Sequence, residues 1–403
     1  MTDMKKLNRY LESVKPSATY RIMDKVAERK AQGKQIISLC AGEPDFPTPK
    51  HICAAAMIAI QDGHTKYTQV AGMRELREAV AQKFKTDNGL DVCWKDTLVG
   101  NGGKQIIFTA LASTLNDGDE VIIPAPYWVS YPEMVQLCGA MPVTVACDSS
   151  TGFKLTPDIL EGAITQHTRW LILNSPSNPT GSVYSKNELQ ALGQILLAHP
   201  QVLILSDDIY EHLIFDGVEF ATIAAAVPEL QSRTLTMNGV SKAWSMTGWR
   251  IGFCAGPQWL ISAMEKLLGQ QTSGASSISQ HAALAALNGP RDFLKTSREA
   301  FSARRDIMVK MLNSAPGIHC ETPQGAFYAF AHCGGLIGKT SAGGTVLRSD
   351  EDVASALLEE KAVAVVHGSA FGLGPYIRIA YATDVTMLKQ ACQHIIDFCN
   401  ESH

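Results

Sequence analysis

The 403-residue chain has no Cys-x-x-Cys pair, no long uninterrupted apolar run and no basic excess, and each absence excludes a class of function. Its ten cysteines are scattered from Cys40 to Cys399, several in apolar surroundings such as Phe253-Cys254-Ala255. Disulfide frameworks belong to small secreted chains, so these thiols read as reduced, small hydrophobes. The eleven histidines are equally dispersed; His332-Cys333 has no metal-ligand spacing around it, and no metal site is expected. A formal charge of −4 and a pI near 6.3 give no electrostatic case for nucleic acid or an anionic membrane. The stretch Met1–Tyr10 lacks an apolar signal core, and no apolar run reaches a membrane span, which makes the cytoplasm the expected compartment. Internal repeats and low-complexity tracts are missing as well.

What is present is a globular composition, 46% hydrophobic and 18% charged, long enough for two or three domains of roughly 100–200 residues each. Residues 1–33 read as helical, with Ile22, Met23, Val26 and Ala27 as the apolar stripe and a stop at Gly33. Ile36 to Leu39 is a short strand candidate running into the proline-stiffened segment 41–49. Helices are expected over Ile52–Ile60 and around Leu76–Phe84, with the polar loop 64–72 between them. From about residue 95 to 260 short apolar runs alternate with helical stretches: 121–123, 171–173, 202–205, 234–237 and 251–253. Such runs indicate an α/β protein whose mostly parallel sheet is covered by helices on both faces. After about 290 come a charged helix (Arg298–Leu312), strand candidates at 327–330, 362–366 and 376–380, and a last helix capped by Asp384.

Ligands in such sheets sit beyond the carboxyl ends of the strands, and the notable polar groups fall there. Asn178 follows the 171–173 run, Asp207 and Tyr210 follow 202–205, and Lys242 follows 234–237. Gly100-Asn101-Gly102-Gly103-Lys104 opens a helix, which offers either an anion-binding turn or a plain tight turn. Asn178, in Asn-Pro-Thr-Gly, is either a loop residue or an amide presented to a ligand oxygen. Asp207 ends a buried strand and needs a partner, a ring N–H or a helix cap. Tyr127-Trp128 reads as core aromatics or as a stacking platform. Arg378, amid Ile377 and Ile379, calls for a buried carboxylate, from protein or substrate. Lys242 has Val240, Ala243 and Trp244 as neighbours and Arg250 eight positions on. A desolvated amine is nucleophilic toward carbonyls, and the arginine suits a phosphate.

Taken together, the ordered motifs Ala41-Gly42-Glu43-Pro44-Asp45-Phe46, Pro126 to Glu133, Asn178 to Gly181 and Ser241 to Gly252 resemble the class I aminotransferases. The likeness runs from about Lys15 to the C-terminal helix and is greatest to the bacterial aspartate aminotransferases. The resemblance implies fold type I of the pyridoxal phosphate-dependent transferases: a large domain with a mostly parallel seven-stranded sheet, plus a smaller α/β domain built from both termini. The implied division is 1–45, 46–295 and 296–403. It further implies a Schiff base between Lys242 and the cofactor, Asp207 on the pyridinium nitrogen, and Asn178 and Tyr210 on the ring 3′-oxygen. Trp128 would stack on the ring, and Gly102, Gly103, Lys104 and Arg250 would hold the phosphate. Tyr67 would reach that phosphate from a neighbouring subunit, which makes a homodimer obligatory. Arg378 would clamp the substrate α-carboxylate, with Gly42, Trp128 and Asn178 nearby.

Two positions depart from better-known members of that family. Gly239 stands where they carry a serine that touches the phosphate, and residues 270–280 lack the partner-subunit arginine that reads a distal carboxylate. Recognition of a dicarboxylate is therefore expected from elsewhere, with Lys15 to Thr19 as the candidate segment. The resemblance implies a ping-pong exchange between an amino acid, aspartate first, and 2-oxoglutarate. Prephenate, aromatic amino acids and alanine are alternative partners, a lyase using the same cofactor is an alternative chemistry, and a non-catalytic effector-binding module is an alternative class.

Overall fold

The computed structural model describes residues 8–403, so the first seven residues of the expected N-terminal helix lie outside it. Twelve strands are named in chain order: β1 (Ile37–Ser38), β2 (Thr97–Gly100), β3 (Glu120–Ala125), β4 (Met141–Ala146), β5 (Thr168–Asn174) and β6 (Leu203–Asp207). They continue with β7 (Thr234–Gly239), β8 (Gly252–Ala255), β9 (Tyr328–His332), β10 (Val363–Ala364), β11 (Val366–His367) and β12 (Tyr376–Ala380). Seven of them form one sheet in the order β2-β8-β7-β6-β5-β3-β4. Strands β3 to β7 pair in parallel, and β8 runs antiparallel to both β7 and β2.

The continuous apolar runs are explained by burial on both faces. Val121, Ile123, Trp170, Ile172, Leu203 and Leu205 point to one side, where helices Gly103–Ala112 and Gln258–Gln271 supply Ile106, Leu111, Leu260 and Met264. Ile122, Leu171, Leu173 and Ile204 point to the other, against Leu189, Leu192 and Leu196 of helix Lys186–Ala198. Alternation with period two thus sends adjacent apolar residues into two separate cores. The expected α/β architecture with its mostly parallel seven-stranded sheet is the one observed.

Two strands of this sheet escaped the sequence reading for physical reasons. β4 is an edge strand with exposed positions and Pro142, so its apolar signal is diluted. β2 is only four residues long. The expected strand over 362–366 is in fact two pieces, because Ala362 takes a left-handed φ of 56° at a helix end and Val365 separates β10 from β11. β10 pairs in parallel with β1, and β11 joins the antiparallel sheet β11-β12-β9. Residues from both ends of the chain therefore share one core, in which Ile37 and Leu39 meet Met308, Phe327, Leu388 and Ile395. The last helix, Val385–Glu401, is capped as expected: the Asp384 side chain accepts from the backbone N–H groups of Thr386 and Met387. Of the expected N-terminal stripe, Val26 is buried, whereas Met23 and Ala27 are exposed.

A buried ion pair fastens the segment after β6 to helix Arg74–Asn88. The Lys83 ammonium contacts the Glu211 carboxylate and donates to Asn88 Oδ1 at 2.6 Å, and Asn88 Nδ2 donates to Glu211 Oε2 at 2.6 Å. Burial opposes the charge on Glu211, and the ammonium overrides it, so the carboxyl pKa is lowered. Asp87, Glu211 and His212 approach one another closely enough to hold a cation, yet Lys83 and Arg291 already neutralise the two carboxylates. Lys83→Met is expected to destabilise the fold by about 3–5 kcal/mol, since it strands a buried charge. Urea denaturation checks this; a change under about 1 kcal/mol, the scale of an exposed pair, contradicts it.

Candidate active site

The parallel register brings the ends of β5, β6 and β7 to one edge, with Asn174 opposite Asp207 and Asp207 opposite Met237. Beyond that edge lies a cavity of about 330 Å³. Past Gly239 the chain leaves the sheet in a tight series of turns, closed by bonds from Trp244 N to Val240 O and from Met246 N to Ser241 O. Those turns hold Lys242 at the cavity, where its ammonium donates to the Gly42 carbonyl at 2.6 Å. Burial first, and the Arg250 charge second, push its pKa down to about 8. The segment 41–49 lies over this loop: Thr247 Oγ1 donates to Glu43 at 2.6 Å, and Trp249 Nε1 donates to Thr48 Oγ1 at 3.0 Å.

Asp207 sits at the floor. Burial raises its pKa to about 6, against the Tyr131 hydroxyl, which donates to Oδ2 at 2.5 Å. Tyr131 is fully enclosed and packs edge-on against Trp128, with ring centroids 5.3 Å apart. The spacing of three between Trp128 and Tyr131 was the only trace of this partnership in the sequence. Asn174 links the strand ends, donating to Asp207 O at 2.9 Å and accepting from the Asn178 N–H at 2.8 Å. The Asn178 side chain accepts from Arg378 Nη1 at 3.1 Å, across 200 residues.

Arg378, on β12, is 2% exposed. Its guanidinium lies 4.7 Å from the Tyr328 ring and 4.8 Å from the Phe371 ring, and Nη2 donates to Cys40 O. Its Nε–H is buried and has no hydrogen-bond partner among the described residues. Tyr210 meets Tyr328 hydroxyl to hydroxyl at 2.8 Å, and Tyr328, absent from the sequence reading, lines the cavity as well.

The glycine turn is required by contact. Gly102 has a φ of 84°, and a Cβ there would lie 2.5 Å from Arg250 Nη2. A Cβ on Gly252 would lie 2.5 Å from Gly103 N. Helix Gly103–Ala112 has no side-chain cap at Gly102, and among the described residues the N–H groups of Gly103 and Lys104 have no acceptor, beside a guanidinium, the chemistry of an anion cradle. A Cβ at Gly239 would lie 3.1 Å from the Ile251 carbonyl oxygen, a tight contact, and Ser241 lines the cavity close by.

Lys104 reaches the aromatic wall, its Nζ 5.0 Å from the Trp128 ring and 5.8 Å from the Tyr20 ring. Partial burial and then Arg250 lower its pKa. Ser17 and Thr19, from the expected segment, reach the cavity, whereas the Lys15 N–H is bonded to Glu133 at 2.9 Å. Of the residues singled out from sequence, Gly42, Gly103, Lys104, Trp128, Asn178, Asp207, Tyr210, Lys242, Arg250 and Arg378 converge here, and Gly102 lies just behind. Tyr67 does not: it is 93% exposed. Lys104, Lys242, Arg250 and Arg378 give the cavity four cations against the carboxylates of Asp207 and Glu43, a field suited to anionic ligands.

The chain is similar over its length to known proteins. The family described as aminotransferase class I and II matches residues 34–395. A probable aspartate/prephenate aminotransferase of Rhizobium leguminosarum bv. phaseoli is 57% identical over 96% of this chain and 97% of its own. The aspartate/prephenate aminotransferase of Cereibacter sphaeroides matches with the same identity and coverage. Among solved structures, the aspartate aminotransferase from Rhizobium meliloti superposes with a TM-score of 0.96 at 48% identity, covering 99% of this chain and all of the other. That from Thermus thermophilus with maleate gives 0.92 at 40%, covering 98% and 100%. The sheet order, the convergent residues and these full-length likenesses agree: the chain is an aminotransferase with the type I fold, and it belongs to the class I and II aminotransferase family.

Proposed function

We propose that the chain uses pyridoxal 5′-phosphate to exchange an amino group between an acidic L-amino acid, aspartate first, and 2-oxoglutarate. The observation that carries this reading is Lys242, an enclosed amine of depressed pKa facing an anion cradle on one side and a buried arginine on the other. The cavity fits the cofactor. The open helix start with Gly102, Gly103, Arg250 and Ser241 suits a phosphate, Asp207 suits a ring N–H, and Trp128 offers a flat apolar face. Pyridoxal phosphate supplies an aldehyde and an electron sink for charge developing at the substrate Cα.

The residues of this chain do the rest. Lys242 Nζ, nearly half neutral at about pH 8, takes the Cα proton and returns it. Tyr131 holds Asp207 in place, and Asn178 and Tyr210, which are tied to Arg378 and Tyr328, would hydrogen-bond the ring oxygen of the cofactor. Arg378 binds the α-carboxylate through the guanidinium donors left over from its bonds to Asn178 and the Cys40 carbonyl. Lys104, with Ser17 and Thr19, reads the second carboxylate, because it is the cavity cation turned toward Trp128 and Tyr20. The maleate named with the Thermus thermophilus enzyme is likewise a dicarboxylate, and prephenate, named with two relatives, also carries two carboxylates. Tyr67, projecting from the single chain, completes the phosphate site of a second copy in a homodimer. The cytoplasm is the proposed compartment: most of the unpaired thiols are buried as small hydrophobes.

A donor panel against 2-oxoglutarate tests this reading, with stoichiometric glutamate expected from aspartate or prephenate. Release of ammonia without glutamate would mark a lyase instead. Lys104→Met is expected to lower kcat/KM for aspartate by about 10- to 100-fold, the worth of one charge-assisted hydrogen bond, while leaving alanine turnover unchanged.

A further inference from the structure

Helix Ser277–Asn288 packs against helix Lys50–Gln61, and one polar side chain in it, Gln280, is 0% exposed. A buried carboxamide must satisfy its donors and its acceptor or destabilise the fold. Gln280 satisfies them mainly on one loop. Its Oε1 accepts from Met73 N at 2.7 Å, and its Nε2 donates to Thr68 Oγ1 and to Ala275 O, both at 2.9 Å. Ser277, one turn earlier, donates to His64 O at 2.7 Å.

These bonds bracket Tyr67. The loop between helices Lys50–Gln61 and Arg74–Asn88 has no regular structure, and its backbone is tied to the sheet by Val99 N to Ala71 O at 2.9 Å. At Gly72, with a φ of 104°, a Cβ would lie 2.8 Å from Val99 Cβ and 3.4 Å from Gln280 Oε1, so the fit leaves no room for slack. The loop is thus held by its own chain while Tyr67 stands 93% exposed at its tip. A group set in its binding geometry before association loses less entropy on binding than a mobile one.

We propose that Gln280 is a positioning residue for the cofactor phosphate of the neighbouring subunit, acting through Tyr67. This rests on the reading that Tyr67 enters the partner's site, and the test separates the two. Dissociation of cofactor from the dimeric holoenzyme is measured for pyridoxal phosphate and, after reconstitution, for pyridoxal, which lacks the phosphate. Gln280→Leu and Tyr67→Phe are each expected to weaken pyridoxal phosphate about tenfold or more, the scale of a hydrogen bond to a charged group. Both should leave pyridoxal affinity within about twofold, and the double variant should be no weaker than either single one, as for residues acting in one chain of contacts. Thr68→Val, which removes one acceptor of Gln280 at a half-buried position, should move affinity the same way by less, and carries the test if Gln280→Leu does not fold. An unchanged affinity in Tyr67→Phe overturns the underlying reading and the proposal with it. If Tyr67→Phe weakens binding, three results overturn the proposal alone: no effect of Gln280→Leu, equal loss for both ligands, or additive losses.

Discussion

Lys242→Ala is expected to lower transamination by about 10⁴-fold or more, since a positioned acid–base group alone contributes ~10²–10⁴ and the covalent anchor is lost with it. The same variant should fold. The amine's single hydrogen bond goes to the Gly42 carbonyl, and the turns that carry it are closed by backbone bonds independent of its side chain. Stability gives a second, independent reading of the site. Burial lowers the lysine pKa from 10.5 to about 8, so between those values the unfolded chain holds a proton that the folded chain has released. Stability of the apoenzyme therefore rises with pH across that window, and the penalty, about 3 kcal/mol, is fully present below it and gone above it. The lost packing of the lysyl stem, ~0.8 kcal/mol per buried methylene, offsets most of this in the alanine variant near neutral pH. Apo wild type and variant should be of similar stability near pH 7, with the wild type gaining on the variant as the pH approaches 10. Parallel curves from denaturation at several pH values would show a solvated, ordinary amine. Undiminished turnover would remove Lys242 from the chemistry.

Much of the architecture was legible because its signals were local. The runs 121–123, 171–173 and 203–205 are apolar at every position since each residue has a core to enter, and that alone marks a doubly covered sheet. The polar residues just past those runs lie at one edge because parallel strands put all their carboxyl ends there. Contacts between distant segments carried no such mark. The hydroxyl of Tyr131 on Asp207 spans 76 residues and the pairing of Tyr210 with Tyr328 spans 118, and nothing local marks Tyr131 or Tyr328 as a partner in the site. The reversal of β8 is likewise set by its partners, β2 and β7, not by its own four residues. The position of Lys104 in the glycine turn is legible in the sequence, whereas the approach of its side chain to Trp128 and Tyr20 is a property of the packed helix start. Gly239 is the converse case: a departure visible in sequence, whose close neighbour, the carbonyl of Ile251 3.1 Å from a Cβ, is set only once the strands have met.

Arg378→Leu should abolish selectivity for amino acids at its source. The guanidinium is planar, lies over the rings of Tyr328 and Phe371, and is oriented by Asn178 and the Cys40 carbonyl, so its remaining donors are fixed before any ligand arrives. Two charge-assisted bonds to a carboxylate, at about 1.5–3 kcal/mol each, predict a fall in kcat/KM of roughly 10²- to 10⁴-fold. Since the arginine is proposed to read the carboxylate common to every amino acid, the loss should be the same for aspartate, alanine and aromatic donors. That is the contrast with Lys104→Met, where only donors with a second carboxylate should suffer. Arg378→Lys keeps the charge but not the fork, and a compact ammonium on a flexible stem does not lie flat against aromatic rings as a guanidinium does. It should recover at most about a tenth of the lost activity, on the scale of one of the two bonds. Steady-state kinetics with the three donors decides the matter. A loss confined to aspartate would move Arg378 to the side-chain end of the cavity and turn the proposed substrate orientation around; full recovery in Arg378→Lys would show that only charge is read there.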